Sequence, residues 1–219
     1  MRSIHSSIEV CMTQDKMLTF DPQNMPPKDV YKLLIGAVVP RPIAFVSTLD
    51  LNNVRNLAPF SFFTVASSNP PVVVFCTSVP SAGRAMKDTL RNVLDTREFV
   101  LNIVSEDFAD KMNECSATVP PEVDEFQLSG LTPIPSELVK PDRVAESRVQ
   151  MECRLVQVVT VSEQPNGGSL VLGEVLRFHL TEDVVNNFYV DPDKLRAIGR
   201  MAGITYCRTT DRFELKRPG

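Results

Sequence analysis

Long apolar runs, paired cysteine motifs and stretches of one-signed charge are all missing from this 219-residue chain, and each gap argues against a class of function. Lys plus Arg total 23 against 27 Asp plus Glu, a net charge of -4 spread without blocks. Binding nucleic acid by counterion release needs a basic patch, and none forms. No window approaches 18 uninterrupted apolar residues, so no helical membrane span is expected. The five cysteines, Cys11, Cys76, Cys115, Cys153 and Cys207, are odd in number and make no CxxC or CxxH spacing. That pattern argues against a metal site or a disulfide framework and for a reducing, cytoplasmic setting. Histidine is scarce: His5 and His179 are the only two, and neither is tied by a motif to a nucleophile, so a hydrolytic triad has no basis. No GxGxxG follows a strand-like run, which disfavours a dinucleotide fold. Residues 1–16 lack the apolar segment of a secretory signal and carry Glu9 and Asp15, against a transit peptide. They read as a flexible leader to a single domain over 17–219, with Met17 an alternative start.

What remains is a 43% hydrophobic chain long enough to bury a full core. Pro27 followed by KDVYKLLIG predicts a short helix ending near Gly36, with Val30, Leu33 and Leu34 on its buried face. Pro40 and Pro42 bracket Arg41 and enforce an extended entry to IAFVSTL, a strand in which Ile43, Phe45 and Ser47 face one side and Ala44, Val46 and Thr48 the other. Asp50 to Asn53 is turn chemistry. Asn56 to Val65 predicts the returning strand, and Val72 to Thr77 a buried one. KDTLRNVLDT has helical periodicity, Glu98 to Val104 returns to strand, and Asp107 to Cys115 predicts a helix. Residues 116–142 hold five prolines and the acidic EVDEF, a long surface excursion with one helical turn near Asp124 to Leu128. Two long strands, Ser147 to Val161 and Ser169 to Leu180, flank the turn EQPNGG. Six or so strands that do not alternate strictly with helices predict a mainly β, antiparallel barrel with attached helices.

A phosphate-bearing ligand needs a cation, hydroxyls and free N–H groups converging at one point. Lys87, Asp88 and Thr89 open a predicted helix and offer that set; the same triplet also reads as a simple cap beside a solvated lysine. Ser47, Thr48, Ser61, Thr64, Ser67 and Ser68 are hydroxyls on or beside apolar strands, able to line a polar cleft or to bond neighbouring carbonyls. Phe60, Phe62 and Phe63 could flank a flat aromatic ligand or fill a core. Arg41 and Arg200 are further cations, one stiffened by its prolines and one near glycines. Glu122, Asp124 and Glu125 read as a solvated face.

Taken in order, PRPIAFVST (40–48), NLAPFSFF (56–63), SSNPP (67–71), KDT (87–89), EFVLNIV (98–104), LGEV (172–175) and RMAGITY (200–206) resemble the flavin reductase-like, FMN-binding split-barrel family. The resemblance implies a six-stranded antiparallel Greek-key barrel that dimerises, with one FMN near each subunit interface. It implies that Asn56, Ala58, Pro59, Phe60, Ser61 and Phe62 meet the isoalloxazine, and that Ser47, Thr48 and Ser67 line the path to the phosphate. Lys87 and Thr89, beside Asp88, take that phosphate, and Arg200 completes the site. It further implies an oxidoreductase passing hydride or electrons between NADH or NADPH and flavin. His179, alternating with Phe178 and Leu180 at a strand end, reads either as a structural or solvated histidine or as a catalytic candidate, and no metal is expected. One departure favours an alternative, an FMN-binding or carrier module without that activity. The GDH triplet of many small flavin reductases is replaced by Asn166, Gly167 and Gly168.

Overall fold

The computed structural model describes residues 16–80 and 86–219. The expected leader, with His5 and Cys11, therefore lies outside the described residues except for Lys16. The two asparagines and Asp50 build the first hairpin as their chemistry requires. Asp50 Oδ1 accepts from the N–H of Asn52 at 2.8 Å and of Val54 at 2.7 Å, while Asn53 takes the left-handed φ of 64°. That turn joins β1 (Ala44–Leu49) to β2 (Arg55–Phe60).

The run expected as one strand over 56–65 is two. It breaks at Ser61 and Phe62 and continues as β3 (Phe63–Ser68), which pairs with β4 (Pro71–Ser78) instead of with β1. After the helix α2 (Asp88–Thr96) comes β5 (Glu98–Ile103). The short helices α3 (Ala109–Glu114) and α4 (Glu125–Ser129) follow, then the two-residue strands β6 (Pro133–Ile134) and β7 (Arg143–Val144), which pair with each other. The long strands β8 (Val149–Thr160) and β9 (Gly168–Leu180) complete a seven-stranded sheet in the order β2-β1-β5-β8-β9-β4-β3, antiparallel throughout. Seven strands stand where six were expected, because the corner at Ser61 divides one. The chain closes with the paired strands β10 (Val185–Asn186) and β11 (Tyr189–Val190), the helical turn α5 (Pro192–Leu195), and the hairpin of β12 (Ile198–Arg200) with β13 (Tyr206–Arg208).

Successive side chains of β1 serve two cores, as a period of two dictates. Ala44 and Val46 join Phe75, Val93, Phe99, Leu101 and Val171 inside the curled sheet, where α2 inserts Leu90 and Val93. Ile43 and Phe45 point outward to Phe108, Met112, Phe126 and Leu131 beneath α3 and α4. The 116–142 segment is thus partly core rather than a surface excursion. Phe60 at the end of β2 meets Phe75 of β4 at 5.1 Å between ring centroids, and Phe75 meets Phe99 edge-on at 5.4 Å. This aromatic chain draws the two ends of the sheet together at the corner where the strand breaks.

The first helix, α1 (Pro27–Ala37), buries Ile35 but not its expected face. Leu33 and Leu34 are exposed, as are Tyr31 and Val38, which share a face with Leu34 at helical spacing. Among the described residues no helix is long and apolar enough to cross a membrane.

Candidate functional site

The corner between β2 and β3 is surrounded by three clefts that share its residues. The first, of about 430 Å³, has Asn56, Ala58, Pro59 and Phe60 along one wall and Lys87, Asp88 and Thr89 at one end. Its far wall is residues 115–119 with Glu125. Lys87 caps α2 without a side-chain hydrogen bond of its own, and the first-turn N–H groups of a helix have no intrahelical acceptor. A cation and a positive helix end therefore converge on the cleft. Asn56 Nδ2 donates to Thr89 Oγ1 at 2.9 Å, which ties the β2 wall to the helix start. Asp88 is paired with Arg91 at 2.8 Å.

The β2 wall is an edge strand, and its outward backbone groups alternate. Leu57 N–H points away from β1 and donates to Glu125 Oε2 at 3.1 Å. Pro59 occupies the next outward position, so the ladder loses no donor where proline sits. The carbonyls of such a strand stay available to a planar ligand. Glu125, expected as part of a solvated face, is instead nearly buried. Burial pushes its carboxyl up to about 7; the Leu57 N–H opposes this, and the nearby Asp88 and Asp124 charges add to it. Asp124 caps α4 by accepting from Phe126 N–H at 2.9 Å and also meets Arg55. Burial likewise pushes the Cys115 thiol to about 11, so it is no nucleophile.

A second cleft, of about 200 Å³, lies on the other side of Pro59 and Ser61, against Tyr31, Arg41, Arg200 and Tyr206. Arg41 is buried and held by the carbonyls of Ile35 (2.6 Å), Val38 (3.0 Å) and Met201 (2.9 Å). The third, of about 660 Å³, runs from Phe60, Ser61 and Phe62 along β4 to the β8–β9 turn, where Asn166, Gly167 and Gly168 stand. A Cβ at Gly167 would lie 2.4 Å from Ser162 O, so this turn accepts no side chain there. Thr77 Oγ1 is buried beside this cleft and finds no hydrogen-bond partner among the described residues.

Nine of the thirteen residues expected to bind a ligand line these clefts at the corner: Asn56, Ala58, Pro59, Phe60, Ser61, Phe62, Lys87, Asp88 and Thr89. Arg200 lines the second cleft. Ser47, Thr48 and Ser67 line none of them. Ser47 and Thr48 are both buried, on opposite faces of β1, and Thr48 Oγ1 accepts from Asn92 Nδ2 at 3.1 Å and so supports α2 from behind. Ser67 sits at the far end of β3 and accepts from Asn69 N–H at 3.2 Å. His179 is also elsewhere: its Nε2 meets the buried Glu152 Oε1 at 2.7 Å. It stands at the opposite end of β9 from Gly168. Tyr31, Cys76, Thr77, Ser78, residues 116–119 and Glu125 join the site without a sequence signal, since none belongs to a spaced motif.

Residues 36–199 match the flavin reductase like domain. The chain belongs to that family. An uncharacterized protein of Aquifex aeolicus is 41% identical over 188 residues, 85% of this chain and 93% of its own. Nitrilotriacetate monooxygenase component B from Bacillus cereus is similar in structure, with a TM-score of 0.87 and 35% identity over 92% of this chain and all of that one. The 2-nitrobenzoate 2-nitroreductase NbaA of Pseudomonas fluorescens follows with a TM-score of 0.82 and 30% identity, covering 92% and 96% of the two chains. A split barrel domain protein from Shewanella frigidimarina shares the fold at a TM-score of 0.79 and 18% identity, covering 92% and 100%. The flavin reductase-like assignment and the mainly β barrel with attached helices therefore stand.

Proposed function

We propose that this chain is a cytoplasmic, single-domain oxidoreductase that binds FMN and passes hydride or electrons between NADH or NADPH and a flavin. The observation that carries this reading is the junction at Phe60. There one wall continues from a cationic helix start at Lys87, past the edge strand from Asn56 to Pro59, into an aromatic-walled cleft. The first cleft's volume of about 430 Å³ falls inside the roughly 300 to 1,000 Å³ typical of small-molecule sites. The Thr77 hydroxyl, without a partner among the described residues, and the outward edge of β2 suit a ring edged with donors and acceptors.

When bound, FMN supplies the hydride- and electron-accepting ring. This chain's residues then divide the remaining work. Lys87, Thr89 and the start of α2 hold the phosphate. The wall from Asn56 to Ser61 orients the ring through backbone groups, and Phe60 and Phe62 exclude water from its faces. Among the described residues no histidine lines the clefts, and the reading assigns no side chain an obligatory proton transfer.

The proposed homodimer is supported by the exposed stripe of Tyr31, Leu34 and Val38 beside exposed Phe62 and Val65, since contiguous apolar patches mark interaction sites. A carrier role is favoured by one observation, the Asn166-Gly167-Gly168 turn in place of a histidine-bearing triplet. Anaerobic mixing of the purified protein with FMN and either NADH or NADPH separates the readings. Bleaching of the flavin with one nucleotide supports the reductase. A yellow protein that neither nucleotide bleaches supports the carrier, and no flavin binding at all rejects both.

A further inference from the structure

Arg41 and Arg200 face each other across an isolated antiparallel bridge. Arg41 N–H donates to Arg200 O at 3.0 Å and Arg200 N–H to Arg41 O at 2.8 Å. Residues opposed in this way place their side chains on one face, and like charges there repel. No carboxylate lines the cleft they share, among the described residues. Arg41 spends most of its donors within the protein, on the carbonyls of Ile35, Val38 and Met201 and, at 3.4 Å, on Ser61 Oγ, so it brings positive charge to the cleft while no carboxylate among the described residues faces it there. Arg200 uses one donor on Gly203 O at 2.5 Å and lays its guanidinium over the Tyr206 ring at 4.4 Å from the centroid. Its other donors have no partner among the described residues. Tyr206 is itself steered by its hydroxyl, which donates to Asn113 Oδ1 at 3.2 Å.

We infer that this second cleft is a carboxylate-binding subsite for a small aromatic acid, placed beside the flavin as the second substrate of the proposed reaction. An anion between the two guanidinium groups offsets their repulsion, and Arg200, with its remaining donors unpartnered among the described residues, can offer a carboxylate the two parallel N–H bonds of its planar fork. The ring lies against tyrosines: Tyr31 and Tyr206 line the cleft, and at about 200 Å³ it is below the roughly 300 Å³ at which pockets for drug-sized ligands begin. Pro59 and Ser61 belong both to this cleft and to the walls of the other two, so an acid seated here has its ring end directed at the proposed flavin position. Only that last placement rests on the proposed flavin function; the anion site does not.

The test is calorimetric titration of the full-length protein, as purified and after saturation with FMN, against benzoate, its neutral analogue benzamide, and inorganic phosphate. Benzoate is expected to bind about tenfold or more tighter than benzamide, the effect of one charge-assisted pair. Arg200→Gln is expected to bring that ratio close to one, and Arg200→Lys to leave it intermediate because the charge remains without the fork. Equal affinity for benzoate and benzamide in the unaltered protein overturns the inference, whatever the variants do. So does phosphate binding to the FMN-saturated protein, whose Lys87 site is filled, as tightly as benzoate, which would mark a general anion site. A benzoate preference in protein that takes up no FMN would reject the flavin reading while leaving this subsite standing.

Discussion

Glu125 carries an acid group into the cleft assigned to a phosphate, and its protonation sets the local sign of charge. With burial raising the carboxyl to about 7, the folded chain holds a proton that the unfolded chain releases near 4.5. Between those values the native state binds more protons, so stability falls as pH rises through the window and the penalty is complete above it. Glu125→Gln removes that penalty. In urea denaturation the variant is expected to gain stability over the unaltered protein between pH 5 and pH 8, by on the order of 1 to 3 kcal/mol. A difference independent of pH would show that the carboxyl titrates normally. FMN affinity in the unaltered protein should weaken over the same interval, because an ionised Glu125 repels a phosphate dianion. Residue chemistry at Lys87 and Thr89 was readable from the sequence because a cation and a hydroxyl opening a helix form a local pattern. Glu125 was not, because what buries it is the fold-back of residues 116–129 onto β2, a contact between positions about seventy residues apart.

Strand β9 shows how one element joins core and site. A Cβ at Gly173 would stand 2.2 Å from Phe99 Cζ, and Phe99 is fully buried against Phe75, which in turn supports Phe60 at the cleft. Gly173→Ala is therefore expected to cost about 1 to 3 kcal/mol in chemical denaturation, as overpacking of a close-packed core does, and to disturb the cleft wall. At the other end of the same strand, His179 holds Glu152. Burial works against that carboxylate, but the N–H groups of Glu137 at 2.8 Å and Leu138 at 2.6 Å, together with His179, outweigh it and keep the group below its usual range. His179→Gln should lower the melting temperature and leave the rate of flavin reduction unchanged; a slowed reduction at unchanged stability would restore His179 as a catalytic group. Apolar strand-like runs, alternating in β1 and continuous in β4, made β1, β4, β5, β8 and β9 legible. The break at Ser61 and Phe62 was not, because the aromatic pattern runs on through a corner that only the competing pairings with β1 and β4 create.

At the scale of the molecule, the barrel was foreseeable from strands that do not alternate with helices, whereas the exposed stripe of α1 was not. Helical periodicity identifies an apolar face but not which body it packs against: Ile35 is the buried residue of α1, Tyr31 reaches the clefts, and Leu34 stays exposed. If Tyr31, Leu34 and Val38 meet a second copy, Leu34→Asp should shift the sedimenting species from dimer to monomer at micromolar concentration. A dimer unaffected by that charge would place the interface elsewhere. The central claim is the direction in which a flavin lies across the corner, and a crystal structure of the protein with FMN tests it most directly. The account predicts phosphate oxygens within about 2.7 to 3.2 Å of Lys87 Nζ, Thr89 and the first-turn N–H groups of α2, with the ring against the wall from Asn56 to Ser61. A phosphate seated instead between Arg41 and Arg200 would contradict it.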